Sequence, residues 1–536
     1  MNKKGFTLVE LLGVIIMIGA LILVVTTPIV SQINKQKVKL DDASLNLIYS
    51  TTETYIDKNK NSYPLKNNAV YYITLKQLLD SKFIEEEFIK TYSTDVLSKK
   101  SIIKVTVNGD TYTYNLLPSN SYNSIGMIYD TISSGITKYT YMDGEYFQSY
   151  VDKPIYYNGI LWDIIGKNAD GTIKLLSRDS ITPIYVNKGN EQYNDSYARK
   201  WLNTEFLGSL VDSSIISNQK WCVDTASDKS VSSESCSNSI NDKVGLLTLS
   251  EVNRLASDYV RNSTLYVLMT QTNDNTGSYF RVNNLGGIDL FGHGYELPIH
   301  IRPSINIIAE APIISGTGTS SDPYMLARDT SVSLADVRLK DAPITVGMYV
   351  KYLDRTYRIM KMGDNSFKMI LSKVYSIDPN VDDSEWAAFS TDNQSYNVSN
   401  GIGFYLNNTK YTSFVPNDVS KNLISDDSIF NGIYVTRGSN YRLQSLKDNQ
   451  VVTDAVVGLP KLGELFASPN VTGRLTPYWT QNEFDQTNAY SINNDSIEIR
   501  PKSDQIYIRP VINVTSDAII TSGNGLKDNP LVLDGK

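Results

Sequence analysis

The sequence predicts an α+β chain: a long N-terminal transmembrane helix, a small head behind it, and two duplicated α+β domains filling the remainder. Three observations carry that expectation. Phe6 to Val30 is an apolar run broken by one charge, Glu10. Alternating strand patterns, turned at Asn108-Gly109-Asp110 and Asp170-Gly171, are mixed with short helical ones. Finally, Arg302/Arg509, Gly316/Gly523 and Pro323/Pro530 share one offset, 207 residues, so the second half repeats the first.

A chain of 536 residues is long enough to bury two or three cores. With 41% hydrophobic and 20% charged residues it reads as a folded protein whose membrane-embedded part is local. A net charge of -7 argues against nucleic acid as a partner. The 36 Tyr against 14 Phe suit both sheet faces and recognition surfaces. Only two cysteines and two histidines occur, so Cys-rich zinc sites are excluded and a Cys/His or His-dependent active site has few possible members. The expectation is therefore no catalytic residues, no metal and no cofactor.

The 25 residues from 6 to 30 would make a helix of roughly 37 Å at about 1.5 Å per residue, enough for a hydrocarbon core of about 30 Å. No A-x-A cleavage triplet lies between Thr26 and Lys39, which disfavours an ordinary secretory signal. Glu10 in such a span costs about 2.5 to 3.5 kcal/mol at mid-helix, so it needs a partner. Lys3-Lys4-Gly5, then Phe6-Thr7-Leu8-Val9-Glu10 and the apolar run, resemble the class III leader of type IV prepilins. That resemblance implies residues 1–5 as leader, cleavage between Gly5 and Phe6 by a prepilin peptidase, and N-methylation of Phe6. It also implies that Glu10, the fifth mature residue, neutralises the new α-amino group in its own helix or in a neighbouring pilin subunit, setting register in assembly. The alternative is an uncleaved single-pass anchor with Glu10 at the membrane interface. Lys3 and Lys4 favour a cytoplasmic amino terminus, although Lys35, Lys37 and Lys39 blur the signal, and the resemblance places the rest outside the cell.

Residues 31–118 read as a pilin-like helix and head. Ile29, Ile33, Leu40, Leu47, Ile48, Thr51 and Tyr55 mark one helical face as far as Asp57–Lys60. Asn61–Pro64 breaks the chain, Thr74 is placed to cap a short helix through Leu79, and Ile102–Val107 with Thr111–Leu116 forms a hairpin. Ser119 to about 140, rich in Ser, Asn, Gly and Thr, reads as a linker.

The repeats span 141–328 and 329–536. Tyr156–Ile165 corresponds to Val350–Met360, Trp201-Leu202-Asn203 to Tyr405-Leu406-Asn407, Val244-Gly245-Leu246 to Val457-Gly458-Leu459, and Glu251 to Glu464. Each half resembles a bacterial extracellular domain of undetermined function, with an opening Trp-Arg, a Trp-Leu-Asn helix and a closing Arg-Pro strand. Asp163 follows Trp162 where that pattern has Arg, and Tyr357 replaces the opening Trp in the second copy. The expected arrangement of each copy is α+β, C-type lectin-like by analogy.

Cys222 and Cys236, 14 apart in a Ser-rich stretch, suit a disulfide in an exported domain, with two free thiols as the alternative. His293 and His300 flank Gly294-Tyr295-Glu296 without a known ligand spacing, and Thr272–Gly277 lacks the spaced acids of a calcium loop, so both read as ordinary loop or strand. Arg302 and Arg509 read as fold residues rather than anion sites. The whole suggests a minor pilin or pseudopilin-like surface protein, not an enzyme. Its partners would be prepilin peptidase, other pilin subunits, the membrane and an unknown extracellular ligand held by tandem adhesion domains.

Overall fold

The computed structural model describes residues 40–534 except 68, 93, 95, 119–120, 143, 188–190, 211, 231–235, 275, 293–298, 327–333, 364, 374–385, 410–422, 425–429, 437–441, 449–454, 468–476 and 494–495. Gly5, Phe6, Glu10 and the run 6–30 lie outside the described residues. The chain divides into two compact units, one built from residues through 59 with 73–104 and 114–122, the other from 60–72, 105–113 and 123–536.

In the first unit the helix Asp42–Lys58 is capped by Asp41, whose carboxylate accepts from Ser44 N at 2.7 Å. It buries Ile48, Thr52 and Ile56, one row at i, i+4 and i+8. Leu47 is 47% exposed, so the buried row differs from the face expected through Leu47, Thr51 and Tyr55. Thr74 caps the helix Leu75–Asp80 in a reciprocal capping box with Gln77. Strands β1 (Val70–Thr74), β2 (Ile102–Asn108) and β3 (Thr111–Leu117) form a sheet in that order, and Gly109 turns β2 into β3 at φ +60°.

The stretch expected as a linker holds a helix, Ile125–Ile132, in the second unit. Its side chains have helical spacing that the polar neighbours disguise: Ser124 caps it, Ile125 and Tyr129 are buried, and the Tyr129 ring stacks on Phe147 with centroids 5.2 Å apart.

The described residues of the first repeat form β4 (Lys138–Tyr141), β5 (Gly144–Phe147), β6 (Ile155–Tyr157), β7 (Ile160–Lys167), β8 (Ile173–Ser177), β9 (Thr182–Ile184), β10 (Gln219–Cys222), β11 (Ser239–Asp242), β12 (Val244–Gly245), β13 (Tyr266–Gln271), β14 (Tyr279–Val282), β15 (Ile288–Phe291), β16 (Ile299–Ile301), β17 (Ser304–Ile307), β18 (Ile313–Ser315) and β19 (Tyr324–Leu326). The second follows with β20 (Val337–Arg338), β21 (Tyr349–Tyr352), β22 (Arg355–Met362), β23 (Ser366–Leu371), β24 (Trp386–Ala387), β25 (Leu423–Ile424), β26 (Phe430–Thr436), β27 (Arg442–Asp448), β28 (Val457–Gly458), β29 (Tyr478–Glu483), β30 (Asn488–Asn493), β31 (Ser496–Pro501), β32 (Ile506–Tyr507), β33 (Val511–Thr515), β34 (Ile519–Ser522) and β35 (Leu531–Leu533).

The two topologies share one path, to which the first copy adds β4 and β5 and the second adds β20 and β25. In the first repeat the main sheet runs β12-β17-β8-β7-β6-β19-β18; in the second, β28, β33, β23, β22, β21, β35 and β34 pair in the same succession. A second sheet runs β15-β14-β13-β16-β9 in one copy and β31-β30-β29-β32-β24 in the other. A separate hairpin, β10–β11 or β26–β27, completes each copy. The closing strand lies parallel to the opening one in both, β19 on β6 and β35 on β21. In the second repeat one core joins the two sheets, with Val350, Tyr357 and Ile512 of the main sheet packed in the same cluster as Trp479 and Ile506 of the other.

These findings correct the expected fold class. Among the described residues strand outweighs helix by 38% to 19%, spread over many small sheets, and no helix is long and apolar enough to cross a membrane. The α+β reading with a C-type lectin-like arrangement gives way to a strand-rich pair of sheets in each copy. The cause lies in strands such as β13, whose six residues are all buried and therefore lack the alternation that marks a half-exposed strand. Among the described residues the helices of the repeats are mostly about one turn long.

Candidate functional site

The duplicated motifs turn out to hold the frame. Arg302 is 2% exposed; its Nε donates to Ser177 O at 2.8 Å and its guanidinium lies 5.2 Å from the Tyr266 ring centre. Arg509, 1% exposed, donates from Nε to Leu371 O at 2.8 Å and sits 5.3 Å from the Tyr478 ring. Both therefore stitch strands and stack on a Tyr, leaving no access for an anion. Asn203 Nδ2 donates to Val244 O at 3.0 Å while its Oδ1 accepts from Val244 N at 3.1 Å. Asn407 makes the same pair of bonds with Val457, at 2.8 and 3.1 Å. Gly316 and Gly523, at φ +90° and +92°, leave room for a backbone carbonyl: an added Cβ would fall 1.9 Å from Pro323 O and 1.8 Å from Pro530 O.

A buried ion pair is duplicated in the same way. Lys174 on β8 meets Glu251, and Lys368 on β23 meets Glu464 at 2.9 Å from each carboxylate oxygen. Glu251 closes the capping box of the helix Leu249–Val252, its Oε2 accepting from Thr248 N at 2.8 Å. Sequence reasoning paired the two glutamates but passed over the lysines. The available signal was a charge inside two otherwise apolar strands, Ile173-Lys174-Leu175-Leu176 and Phe367-Lys368-Met369-Ile370.

Around the pair in the first repeat lies a cavity of about 200 Å³. Tyr141, Met142 and Tyr146 of the β4–β5 hairpin wall one side, and Gln219, Trp221 and Cys222 of β10 wall another. Ala169 and Asp170, both exposed in the β7–β8 turn, stand at its mouth. Trp221 is fixed on both faces. An added Cβ at Gly245 would approach its ring to 2.4 Å, and Lys174 Nζ lies 4.7 Å from the ring centre.

The polar lining is a connected network. Tyr146 Oη donates to Asn168 Oδ1 at 2.8 Å, and Asn168 Nδ2 donates to Thr172 Oγ1 and Asn306 Oδ1, each at 2.8 Å. Gln219 Nε2 donates to Asp170 Oδ2 at 2.6 Å. Burial, and then the Glu251 carboxylate, push the Tyr141 phenol up to about 12 and Tyr146 well above its usual range. Both hydroxyls therefore remain donors at neutral pH.

The remaining sequence candidates are scattered. Cys222 and Cys236 form a disulfide with Cα atoms 5.4 Å apart, beside the β10–β11 hairpin. His300 sits on β16, opposite Pro183 of β9, and His293 lies outside the described residues. Asp274 accepts from Thr276 N at 3.1 Å and Thr276 Oγ1 at 2.7 Å, which makes that loop a self-bonded turn. Among the described residues no group of three or more His, Cys, Asp or Glu is placed to hold a metal. Asp163, standing where Arg was expected, is met by Arg178 from β8's end, at 3.0 Å from Nε and 2.6 Å from Nη2. In the second copy Arg358 occupies that register and its Nε donates to Gly347 O at 3.0 Å, while Ser372 stands where the first copy has Arg178.

Residues 170–289 match the model of a domain of unknown function, DUF6273. That span includes Lys174, Gln219, Trp221 and Glu251 of the cavity, but neither the β4–β5 hairpin nor Asn306. No curated protein and no solved structure matches the chain.

Proposed function

We propose that the chain is made as a prepilin and serves as a minor pilin or pseudopilin-like surface protein, in or at the tip of a pilus, whose repeats bind an extracellular ligand. The observation that carries this reading is the run Gly5-Phe6-Thr7-Leu8-Val9-Glu10 behind Lys3-Lys4 and ahead of an apolar segment through Val30. A bulky pair of repeats on each subunit would crowd a packed filament, which supports a sparse or terminal position. The chain then crosses the membrane once before assembly, amino terminus inside and repeats outside. The cavity beside Lys174 and Glu251 supports a binding role for the first repeat.

The test is intact mass and N-terminal sequencing of membrane-extracted protein made with and without a prepilin peptidase. Loss of residues 1–5 with a methylated Phe6, only when the peptidase is active, is the expected result. Retention of Met1 in its presence would replace the pilin reading with that of an uncleaved, membrane-anchored surface binding protein.

A further inference from the structure

We infer that the first repeat carries a ligand site, the cavity beside Lys174 and Glu251, and that it takes one neutral sugar ring. The inference rests on the reading of the repeats as binding domains, and names the ligand class and the copy that binds.

Size, charge and hydrogen-bonding character each narrow the ligand. A cavity of about 200 Å³ is smaller than the roughly 300–1,000 Å³ of drug-sized pockets, so it suits a single ring and not an extended chain. Lys174 and Glu251 already neutralise one another inside it, so a ligand bearing net charge would break a buried pair to gain a partner. At the rim Asp170 and Lys220 add one charge of each sign, the Asp170 carboxylate already accepting from Thr172 and Gln219, and the rest of the polar wall is amides and hydroxyls: Asn168, Asn306, Gln219, Thr248 and the protonated Tyr141 and Tyr146. Amides and hydroxyls both donate and accept, and sugar hydroxyls do the same.

The frame and the site separate by comparing the copies. The Lys–Glu pair recurs in the second repeat as Lys368–Glu464, so the pair alone belongs to the fold. The wall formed by Tyr141, Met142 and Tyr146 comes from β4–β5, which adds to the main sheet through Glu145↔Lys167 and Tyr146↔Gly166. Among the described residues of the second repeat, β22 pairs only with β21 and β23, and no counterpart of that hairpin joins it. Among the described residues the wall that closes the cavity is thus an elaboration of the first copy.

The full chain in detergent is probed with free glucose, galactose, mannose and N-acetylglucosamine by saturation-transfer NMR. At least one sugar is expected to give a signal. Ala169→Trp, which plugs the mouth from an exposed turn without removing a hydrogen bond, should reduce it to background, and Asn168→Ala should weaken binding by tenfold or more. Asn365→Trp, on the exposed β22–β23 turn of the second repeat, should leave it unchanged. Silence from every sugar, a signal that survives Ala169→Trp, or one that Asn365→Trp abolishes would each overturn the inference. Leader processing is read by mass on the same preparation, so a chain that is cleaved but binds no sugar fails here alone.

Discussion

Lys368 Nζ stands 2.9 Å from both carboxylate oxygens of Glu464, with the two residues 2% and 1% exposed, and Lys174 and Glu251 repeat the arrangement one copy earlier. A pair so deeply placed is worth little as net stabilisation, because desolvating two charges offsets most of their attraction. Its loss is asymmetric. Lys368→Met alone leaves a buried carboxylate and should destabilise the second repeat by about 3–5 kcal/mol, whereas Lys368→Met with Glu464→Leu should recover most of that loss. Denaturant unfolding of the single and double variants measures both values.

Asn407 holds the start of β28 by bonding both polar groups of the Val457 backbone. Asn407→Ala leaves a buried donor and acceptor unpaired, so a loss of about 1–3 kcal/mol per group is expected. Asn407→Asp keeps the acceptor only and should fall between. Thermal unfolding of the two variants orders them.

Reducing Cys222–Cys236, or replacing both by Ser, frees a loop with a separation of 14 residues. The chain-entropy model puts the cost at about 3 kcal/mol for a loop of this size. Loss should fall on the first repeat, and limited proteolysis should open first between 222 and 236. Cleavage beginning elsewhere would show that the β10–β11 pairing alone holds the segment.

Asp212 is 3% exposed, and burial pushes its carboxyl up to about 6 against the bonds from Ser214 that favour the charged form. A group raised in the folded state binds its proton more tightly there than when unfolded. Its contribution is therefore complete below about pH 4 and is lost as pH rises through 6, on the order of 2–3 kcal/mol at about 1.4 kcal/mol per unit. Asp212→Asn should flatten the profile between pH 4 and 6 and be the more stable protein at pH 7. Unfolding curves across that range would contradict the assignment if the wild type gained stability as pH rose.

The duplication was legible because its markers are backbone requirements. Glycines forced to positive φ beside a carbonyl, an Arg bonded to strand ends and an Asn bridging to a strand all tolerate few substitutes, so they survive in both copies. Strands such as β13 were harder to read, since burial on both faces removes the alternation that announces a strand. The cavity was hidden for a different reason. Tyr146, Asn168, Trp221 and Asn306 are far apart in the chain and meet only through sheet pairing. Helix Ile125–Ile132 was masked by the Ser- and Asn-rich residues before it, one of which is its cap.

The parallel pairing of β6 with β19, and of β21 with β35, sets an early strand of each repeat beside its last one. When tension is drawn through the two ends of a repeat, those neighbouring strands are pulled in opposite directions along their length. Their hydrogen bonds then bear the load together in shear instead of unzipping one at a time. Each copy therefore yields at this seam by a concerted rupture rather than by peeling.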